Sequence, residues 1–192
     1  GQNDILVGSP VAGRSRPELE DLTGMFVNML VMRCELSGDP TFRDLVGRIK
    51  ETALGAYSHQ DIPFGKLVDA LQPDRDLSRH PLFQACLSFE NTRFDSLDLA
   101  GVTVSRIEAE AAHLTAKFEI TLYVQEAPSG IECLLEYATD LFDRATIDRM
   151  VGHFVRLLDE VICNPDRRLS ELALLSEAER RQLIRDWNDT AV

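Results

Sequence analysis

The stretch that decides the fold class is KFEITLYVQEAPSGIECLLEYAT, residues 117–139. From Lys117 to Gln125 it alternates apolar side chains with polar ones, Thr121 among them, which is the period of a β-strand with one face in the core and one in solvent. Ala127-Pro128-Ser129-Gly130 is typical of a turn, and the alternation resumes from Ile131 to Thr139. The stretch therefore predicts a β-hairpin with one wet face.

Helical periodicity flanks this hairpin on both sides. Downstream, Asp143 is the predicted N-cap of a long helix to about Ile162, with apolar residues every three or four positions. Upstream, Thr41 is the predicted N-cap of a helix to about Tyr57, and Pro63 opens a short helix that ends at residues 72–74.

Four further segments have the composition of strands. They are Ile5–Val7, which breaks into a loop at Gly8-Ser9-Pro10, Asn28–Leu36, Leu82–Phe89 and Val102–Ala109. Strands and helices together in one chain predict an α/β fold.

The end of the chain differs in composition from the rest. After Asn164-Pro165 the sequence becomes polar and charged, with a capping box of Ser176 and Glu179 that opens a small helix. We interpret residues 164–192 as a linker that packs on the outside of a domain formed by residues 1–163.

Charge and composition exclude several function classes. The 192 residues carry 20 Lys and Arg against 32 Asp and Glu, a net charge of -12. An acidic chain with scattered basic residues is a poor match for nucleic acid or an anionic membrane, both of which require clustered cations. No apolar run approaches the roughly 20 residues that span a bilayer, so a cytoplasmic protein is predicted.

The cysteines and glycines give no sign of a metal or nucleotide site. Four cysteines lie far apart without a CxxC pair, and no histidine stands at a zinc spacing, so we predict buried or half-buried thiols and no metal. The glycines form no phosphate-binding pattern.

Two segments contain candidate catalytic or binding residues. His59 and Asp61 could be a general base with its orienting carboxylate, or they could cap the junction between two helices, which is the favoured interpretation. Arg75, Asp76 and Arg79 form a polar loop that could bind an anion or could brace the loop through an internal ion pair, again the favoured interpretation.

Three motifs together resemble a known family. In order and spacing, residues 24–33 (GMFVNMLVMR), 59–64 (HQDIPF) and 75–84 (RDLSRHPLFQ) are similar to motifs of the condensation domains of nonribosomal peptide synthetases. Residues 8–14 and 116–122 support the match, and residues 174–190 resemble the linker that leads into an adenylation domain.

The resemblance implies a fold and a reaction. Condensation domains are two-lobed relatives of chloramphenicol acetyltransferase, so the resemblance implies an α+β two-layer lobe with a mixed sheet packed by helices. Catalysis in the family is associated with an HHxxxDG motif in the N-terminal lobe. This sequence lacks that motif, so it looks like the C-terminal lobe alone, inactive by itself, with its outgoing linker. In the intact domain, an acceptor amine attacks a donor thioester and an amide forms.

The same resemblance implies partners and site residues. Both substrates arrive on the phosphopantetheine arms of upstream and downstream carrier proteins, and no cofactor binds directly. The other partners are the N-terminal lobe of the same domain and the adjacent adenylation domain. In this family a tunnel between the two lobes leads the substrates to the centre, and the resemblance implies that Asn28, Gln84 and Ser88 lie near it. The motif residues for which it implies a structural role are Arg33, His59, Asp61, Arg75, Asp76 and Arg79.

A second hypothesis has no bond formation in it. A condensation-like module could be retained to dock carrier proteins or to recruit tailoring enzymes. Under either hypothesis, a lobe without its partner lobe is expected to expose apolar surface and a strand edge, and therefore to self-associate.

Overall fold

The computed structural model describes residues 2–73, 76, 79–90, 101–102 and 115–188. Its strands are β1 (Asp4–Val11), β2 (Asn28–Glu35), β3 (Ala85–Glu90), β4 (Ile120–Ala127) and β5 (Gly130–Tyr137). Its helices are α1 (Phe42–Ser58), α2 (Phe64–Leu71), α3 (Arg144–Cys163) and α4 (Glu177–Ile184), with short 3-10 turns at Pro17–Leu19, Leu169–Glu171 and Asp186–Asn188.

Five strands form one mixed sheet in the order β2-β1-β3-β4-β5. β1 runs parallel to β3 and β3 runs parallel to β4, whereas β4 and β5 are antiparallel. Ala127 pairs with Gly130, so only Pro128 and Ser129 connect the last two strands. The hairpin predicted from the alternation of residues 117–139 is confirmed.

β1 is longer than its composition predicts. The loop expected at Gly8-Ser9-Pro10 is wrong, because the strand continues through these residues to Val11. Gly8 pairs with Cys86 of β3, and a Cβ at Gly8 would lie 2.2 Å from a ring carbon of Phe83. The glycine is therefore needed here for the close approach of a buried ring, and it does not end the strand.

The chain divides into two compact units. The first comprises residues 1–5, 32–58 and 139–192, and the second comprises residues 6–31 and 59–138.

An aromatic cluster forms the centre of the second unit. Phe83 is fully buried, and its ring centroid lies 4.4 Å from His80, 5.3 Å from Phe118 and 5.8 Å from Phe64. Edge-to-face and tilted packing of this kind stabilises a core beyond the area it buries. Because Phe64 begins α2 and Phe83 precedes β3, the cluster joins both elements.

Local capping defines the helices of the first unit. The Thr41 hydroxyl accepts a hydrogen bond from the N–H of Asp44 at 3.1 Å, and the Asp44 carboxylate accepts one from the N–H of Thr41. The Asp143 carboxylate accepts the N–H of Thr146 at 2.7 Å. Both predicted N-caps are confirmed, since each satisfies donors that the first helical turn leaves unpaired.

The segment after α3 folds back onto the start of α1. Arg43 holds Asp166 at 2.7 Å, and the Ser170 hydroxyl donates to the Asp39 carboxylate at 2.7 Å. The backbone of Thr41 forms an isolated bridge with Arg168. Residues 164–171 are thus fastened by hydrogen bonds on both side chain and backbone.

The small helix α4 is fastened to α3. Its capping box of Ser176 and Glu179 is confirmed, with the N–H of Ser176 donating to the Glu179 carboxylate at 2.7 Å. The same carboxylate lies 2.8 Å from the Nε2 atom of His153 in α3.

The prediction for the cysteines needs correction, and one predicted strand falls largely outside the described residues. Cys34 is half-buried and Cys86 is buried, but Cys133 and Cys163 are exposed, so the expectation of four covered thiols is wrong for the last two. The strand predicted at residues 102–109 lies outside the described residues beyond Val102. Within the described ranges, no helix has the length and apolar content to cross a membrane.

Candidate functional site

One face of strands β3, β4 and β5 carries several polar side chains in register, together with the exposed Leu134, which pairs with Tyr123. Cys86 pairs with Thr121, and Thr121 pairs with Glu136; two residues along, Ser88 pairs with Tyr123. Directly paired residues project from the same face of a sheet, as do residues two apart on one strand. We call this surface, defined by Cys86, Ser88, Thr121, Tyr123 and Glu136, the polar face.

The polar face is covered at one end, contrary to the prediction of a wet face. Thr121 is 2% exposed and Cys86 is 5% exposed. Ser88 and Tyr123 are half-buried, and the next residues along, Glu90 and Glu132, are exposed. Alternation identifies the two faces of a strand, but it does not say which is covered, because neighbouring elements decide that.

Burial changes the acid–base behaviour of this surface. It raises the pKa of the Cys86 thiol to about 11, with the Glu136 carboxylate adding to the effect. Burial and the same carboxylate raise the pKa of Tyr123. Cys86 and Tyr123 are therefore protonated at neutral pH, so the face presents hydrogen-bond donors and has no activated thiolate nucleophile.

Gln84 and Ser88, the predicted tunnel positions, lie just before β3 and within it. The side-chain amide of Gln84 donates to the carbonyl of His80 at 3.3 Å, and the backbone carbonyl of Gln84 accepts the N–H of Ile120 at 3.4 Å. Both side chains are half-buried. Ser88 belongs to the polar face, whereas the Gln84 amide is occupied by the turn that leads into the strand.

Asn28, the third predicted tunnel position, uses its side chain within the fold. Its Nδ2 atom donates to the carbonyls of Gln60 and Ile62 at 2.8 and 2.7 Å, and its Oδ1 atom accepts the N–H of Phe64 at 3.1 Å. The first residue of β2 thereby clamps the turn that leads into α2. Three backbone groups that no helix or strand satisfies find their partner in one amide.

Arg33 lies on β2, in the part of that strand that belongs to the first unit. It forms a two-pronged ion pair with Asp4, with Nε–Oδ1 and Nη2–Oδ2 distances of 2.9 Å. The hydrogen bond from Arg33 lowers the pKa of the Asp4 carboxyl. Both side chains are substantially exposed, at 66% and 48%, so the pair ties β2 to β1 without forming a site.

His59 and Asp61 lie on the surface, at the turn between α1 and α2. Both side chains are exposed, and the His59 carbonyl accepts the N–H of Ile62 at 3.1 Å. The backbone of His59 is part of the segment that Asn28 clamps, and capping of the junction by the two side chains stays a prediction. A general-base role for the pair stays an untested alternative.

The arginine loop is only partly described. Asp76 and Arg79 are exposed, and the N–H of Arg79 donates to the Asp76 carbonyl at 3.3 Å. Arg75 lies outside the described residues, so the predicted bracing by its guanidinium stays a prediction.

Two residues of interest do not follow from the sequence. The sequence puts His80 in a polar loop, yet its ring stacks on Phe64 at 5.3 Å and packs against Phe118 at 4.9 Å. An aromatic residue at each end of the apolar stretch 80–83 could have indicated this packing. Alternation puts Thr121 in solvent, and its burial has no local signal.

Comparison with known proteins defines the class to which this architecture belongs. A family model, Condensation domain, matches residues 1–184. One of the linear gramicidin synthase proteins of Brevibacillus parabrevis is 50% identical over 192 residues, which are all of this chain and 2% of that protein. The chain thus spans a small part of this relative.

Solved structures support the same class. A four-domain nonribosomal peptide synthetase in its holo form, bound to AMP and glycine, matches with a TM-score of 0.82 and 25% identity, over 93% of this chain and 15% of that one. The X-domain in its complex with OxyB from teicoplanin biosynthesis matches with a TM-score of 0.77 and 30% identity, over 91% and 39%.

The mixed sheet and its helices are therefore an α/β fold of the chloramphenicol acetyltransferase type, as predicted. The chain belongs to the condensation-domain family of nonribosomal peptide synthetases.

Proposed function

We propose that this chain is the C-terminal lobe of a condensation domain and that it completes an amide-forming site shared with an N-terminal lobe. The observation that carries the proposal is the structural match to the X-domain, which takes up 91% of this chain but 39% of that one. The absence of HHxxxDG from the sequence agrees with it. By itself, the lobe is expected to be inactive.

The proposed reaction requires placement of substrates more than strong acid–base chemistry. The amine nitrogen of the acceptor attacks the thioester carbon of the donor, the C–N bond forms, and the C–S bond breaks. The amine proton leaves and the departing thiolate of the donor arm takes up a proton. Because aminolysis of a thioester is downhill, aligning two tethered chains and excluding water supplies much of the rate.

The polar face has the side chains that one wall of a substrate tunnel between the two lobes requires. Its half-buried hydroxyls, Ser88 and Tyr123, can hydrogen-bond carbonyl and amide groups of a carrier-bound chain. The phosphopantetheine arms come with the upstream and downstream carrier proteins. Gln84 and Asn28 contribute indirectly, by holding the turns at the start of β3 and α2.

The opposite face of the same strands exposes apolar side chains, as expected of a lobe that packs against another lobe. Leu87, Phe89 and Ile131 are 41%, 55% and 71% exposed. Exposed apolar side chains on adjacent strands mark surfaces that associate. The isolated chain is therefore expected to self-associate at micromolar concentration.

We propose residues 1–163 as the lobe and residues 164–192 as the segment leading to an adenylation domain. The hydrogen bonds of residues 164–171 to the start of α1 support a fastened segment. The family model extends to residue 184, which includes most of this segment.

A second candidate function is recruitment without catalysis. The match to the X-domain, solved in complex with OxyB, favours it as an alternative. The 50% identity to a linear gramicidin synthase protein, against 30% to the X-domain, favours bond formation.

The test is a condensation assay with two loaded carrier proteins. Three samples are compared: this chain alone, this chain mixed with a separately expressed N-terminal lobe, and the intact two-lobe domain. Dipeptide is expected only when the N-terminal lobe is present.

Each other outcome has a distinct meaning. Product from this chain alone would overturn the shared-site proposal and make His59 and Asp61 the first residues to substitute. No product from the intact domain, with carriers confirmed as loaded, would favour the recruitment alternative.

A further inference from the structure

The Thr121 hydroxyl is an exception among the side chains of the polar face. It is 2% exposed, and among the described residues it has no hydrogen-bond partner. A buried hydroxyl without a partner makes the folded state less stable than a hydroxyl that is paired. A valine has nearly the same shape and would avoid this cost, so the hydroxyl needs an explanation.

Its position in the register gives a direction. Thr121 lies between Cys86 and Glu136, one row from the pair of Ser88 and Tyr123. Along this face, exposure rises from Thr121 through the half-buried Ser88 and Tyr123 to exposed Glu132. The surface therefore runs from an open end to a covered end, with the unpaired hydroxyl at the covered end.

The open end is already satisfied. The Gln125 amide donates to the Glu132 carboxylate at 3.1 Å, so this outer row has its hydrogen bonds in the absence of any ligand. The Cys86 thiol beside Thr121 is a weak hydrogen-bonding group, so the Thr121 hydroxyl can still donate and accept hydrogen bonds. A preorganised polar group that is buried from water is typical of a position where a ligand supplies the hydrogen bond that the protein lacks.

We infer that Thr121 is a positioning residue for the carrier-bound substrate, its hydroxyl hydrogen-bonding an amide or thioester carbonyl of a chain that enters along the polar face. This inference rests on the proposed function. It adds Thr121 to the residues proposed to contact the carrier-bound chain, which must be slender and long enough to pass Ser88 and Tyr123. The hydroxyl forms its bond only when that chain is in place.

The experiment compares Thr121→Val and Thr121→Ser in the intact domain with loaded carrier proteins. Single-turnover dipeptide formation and the thermal unfolding midpoint are measured for each. Thr121→Val is expected to slow formation by about tenfold, because it removes one hydrogen bond made in the bound state. Its unfolding midpoint is expected to be unchanged or higher. Thr121→Ser keeps the hydroxyl and is expected to restore most of the rate.

A matched control makes the same substitution elsewhere. Thr52 lies on α1, and its hydroxyl donates to the carbonyl of Arg48 at 3.1 Å. Thr52→Val is expected to leave the rate of dipeptide formation unchanged.

The failures of the two proposals differ. An active wild-type domain whose Thr121→Val variant keeps its rate would overturn the role of Thr121 and leave the proposed function intact. So would a clear fall in unfolding midpoint at an unchanged rate, which would show that the hydroxyl is bonded within the fold or to a trapped water. A wild-type domain that makes no dipeptide would overturn both.

Discussion

Asn28 and Thr121 are two polar side chains of the same unit, and they differ in how their hydrogen-bonding groups are used. The Asn28 amide makes three hydrogen bonds to the backbone around α2, whereas the more deeply buried Thr121 makes none with the described residues. The first arrangement adds to stability and the second subtracts from it. A fully bonded polar group is thus best explained by folding, and an unbonded one by a ligand.

The contrast limits what a motif can say about function. Both Asn28 and Ser88 follow from the family resemblance as tunnel positions, yet only Ser88 lies on the polar face. Asn28 can be required for activity simply because the fold requires it.

The largest effect is expected from removing the ring of Phe83, which packs against Phe64, the residue whose N–H Asn28 binds. Phe83→Ala is expected to destabilise the fold by about 4 kcal/mol, since a fully buried aromatic side chain is lost and a cavity remains. Denaturant unfolding of the intact domain measures it. Phe89→Ala, in β3 but 55% exposed, is the control and should cost much less. Equal losses for the two variants would contradict the aromatic cluster as the core.

A more direct test removes the clamp itself. Asn28→Ala is expected to cost about 2 kcal/mol, because two carbonyls and one N–H lose their partner. The loss should be measured as a lower unfolding midpoint, and the rate per folded molecule should stay close to that of wild type.

Asn188 offers a matched control for the clamp. Its amide also donates to two carbonyls, those of Leu183 and Ile184 at 2.7 and 3.2 Å, but it is exposed. Asn188→Ala should change the midpoint little. A normal midpoint for Asn28→Ala together with a lost rate would return Asn28 to the substrate tunnel.

The smallest effect on the unfolding midpoint is expected for Glu179, whose carboxylate accepts several hydrogen bonds but lies near solvent. Hydrogen bonds from Ser176 and then from His153 lower the pKa of Glu179 to about 2. A depressed pKa means that the contribution of the carboxylate is fully present above about pH 4.5 and is lost as the pH falls towards 2. The unfolding midpoints of wild type and Glu179→Gln should therefore differ at pH 7 and converge only as the pH falls to about 2 or below.

The salt dependence sharpens this last test. Where His153 is protonated, its ion pair with Glu179 lies near solvent and is screened, so about 1 M salt should reduce the part of the difference that comes from this pair. A gap between the two proteins that stays constant from neutral to acidic pH would mean that Glu179 acts through its shape and not its charge.

Features that depend on neighbours in sequence could be predicted. The caps at Thr41, Asp143 and Ser176 and the hairpin at residues 127–130 each involve groups within a few residues, so the residue types alone indicate them. The same holds for the existence of α1 and α3, whose apolar periodicity is long.

Features that depend on distant partners could not be predicted. β1 continues through Gly8, which pairs with Cys86 and leaves room for the ring of Phe83, and Asn28 finds its partners 32 to 36 residues along the chain. Alternation places Thr121 on one face of β4, but only the packed sheet shows that this face is covered. The candidate site depends on such coverage, and for that reason its residues follow from resemblance and from structure rather than from spacing.

The fastening of residues 164–171 to the start of α1 matters for anyone who recombines synthetase modules. A chimaera joined directly after Cys163 would pair the Asp39 and Arg43 of one parent with residues 166 and 170 of another. Even where the sequences are similar, such a junction takes the donor and the acceptor of each of these hydrogen bonds from two different parent proteins. A crossover after Glu171 keeps the whole set from one parent, and it is the better exchange point for hybrid assembly lines.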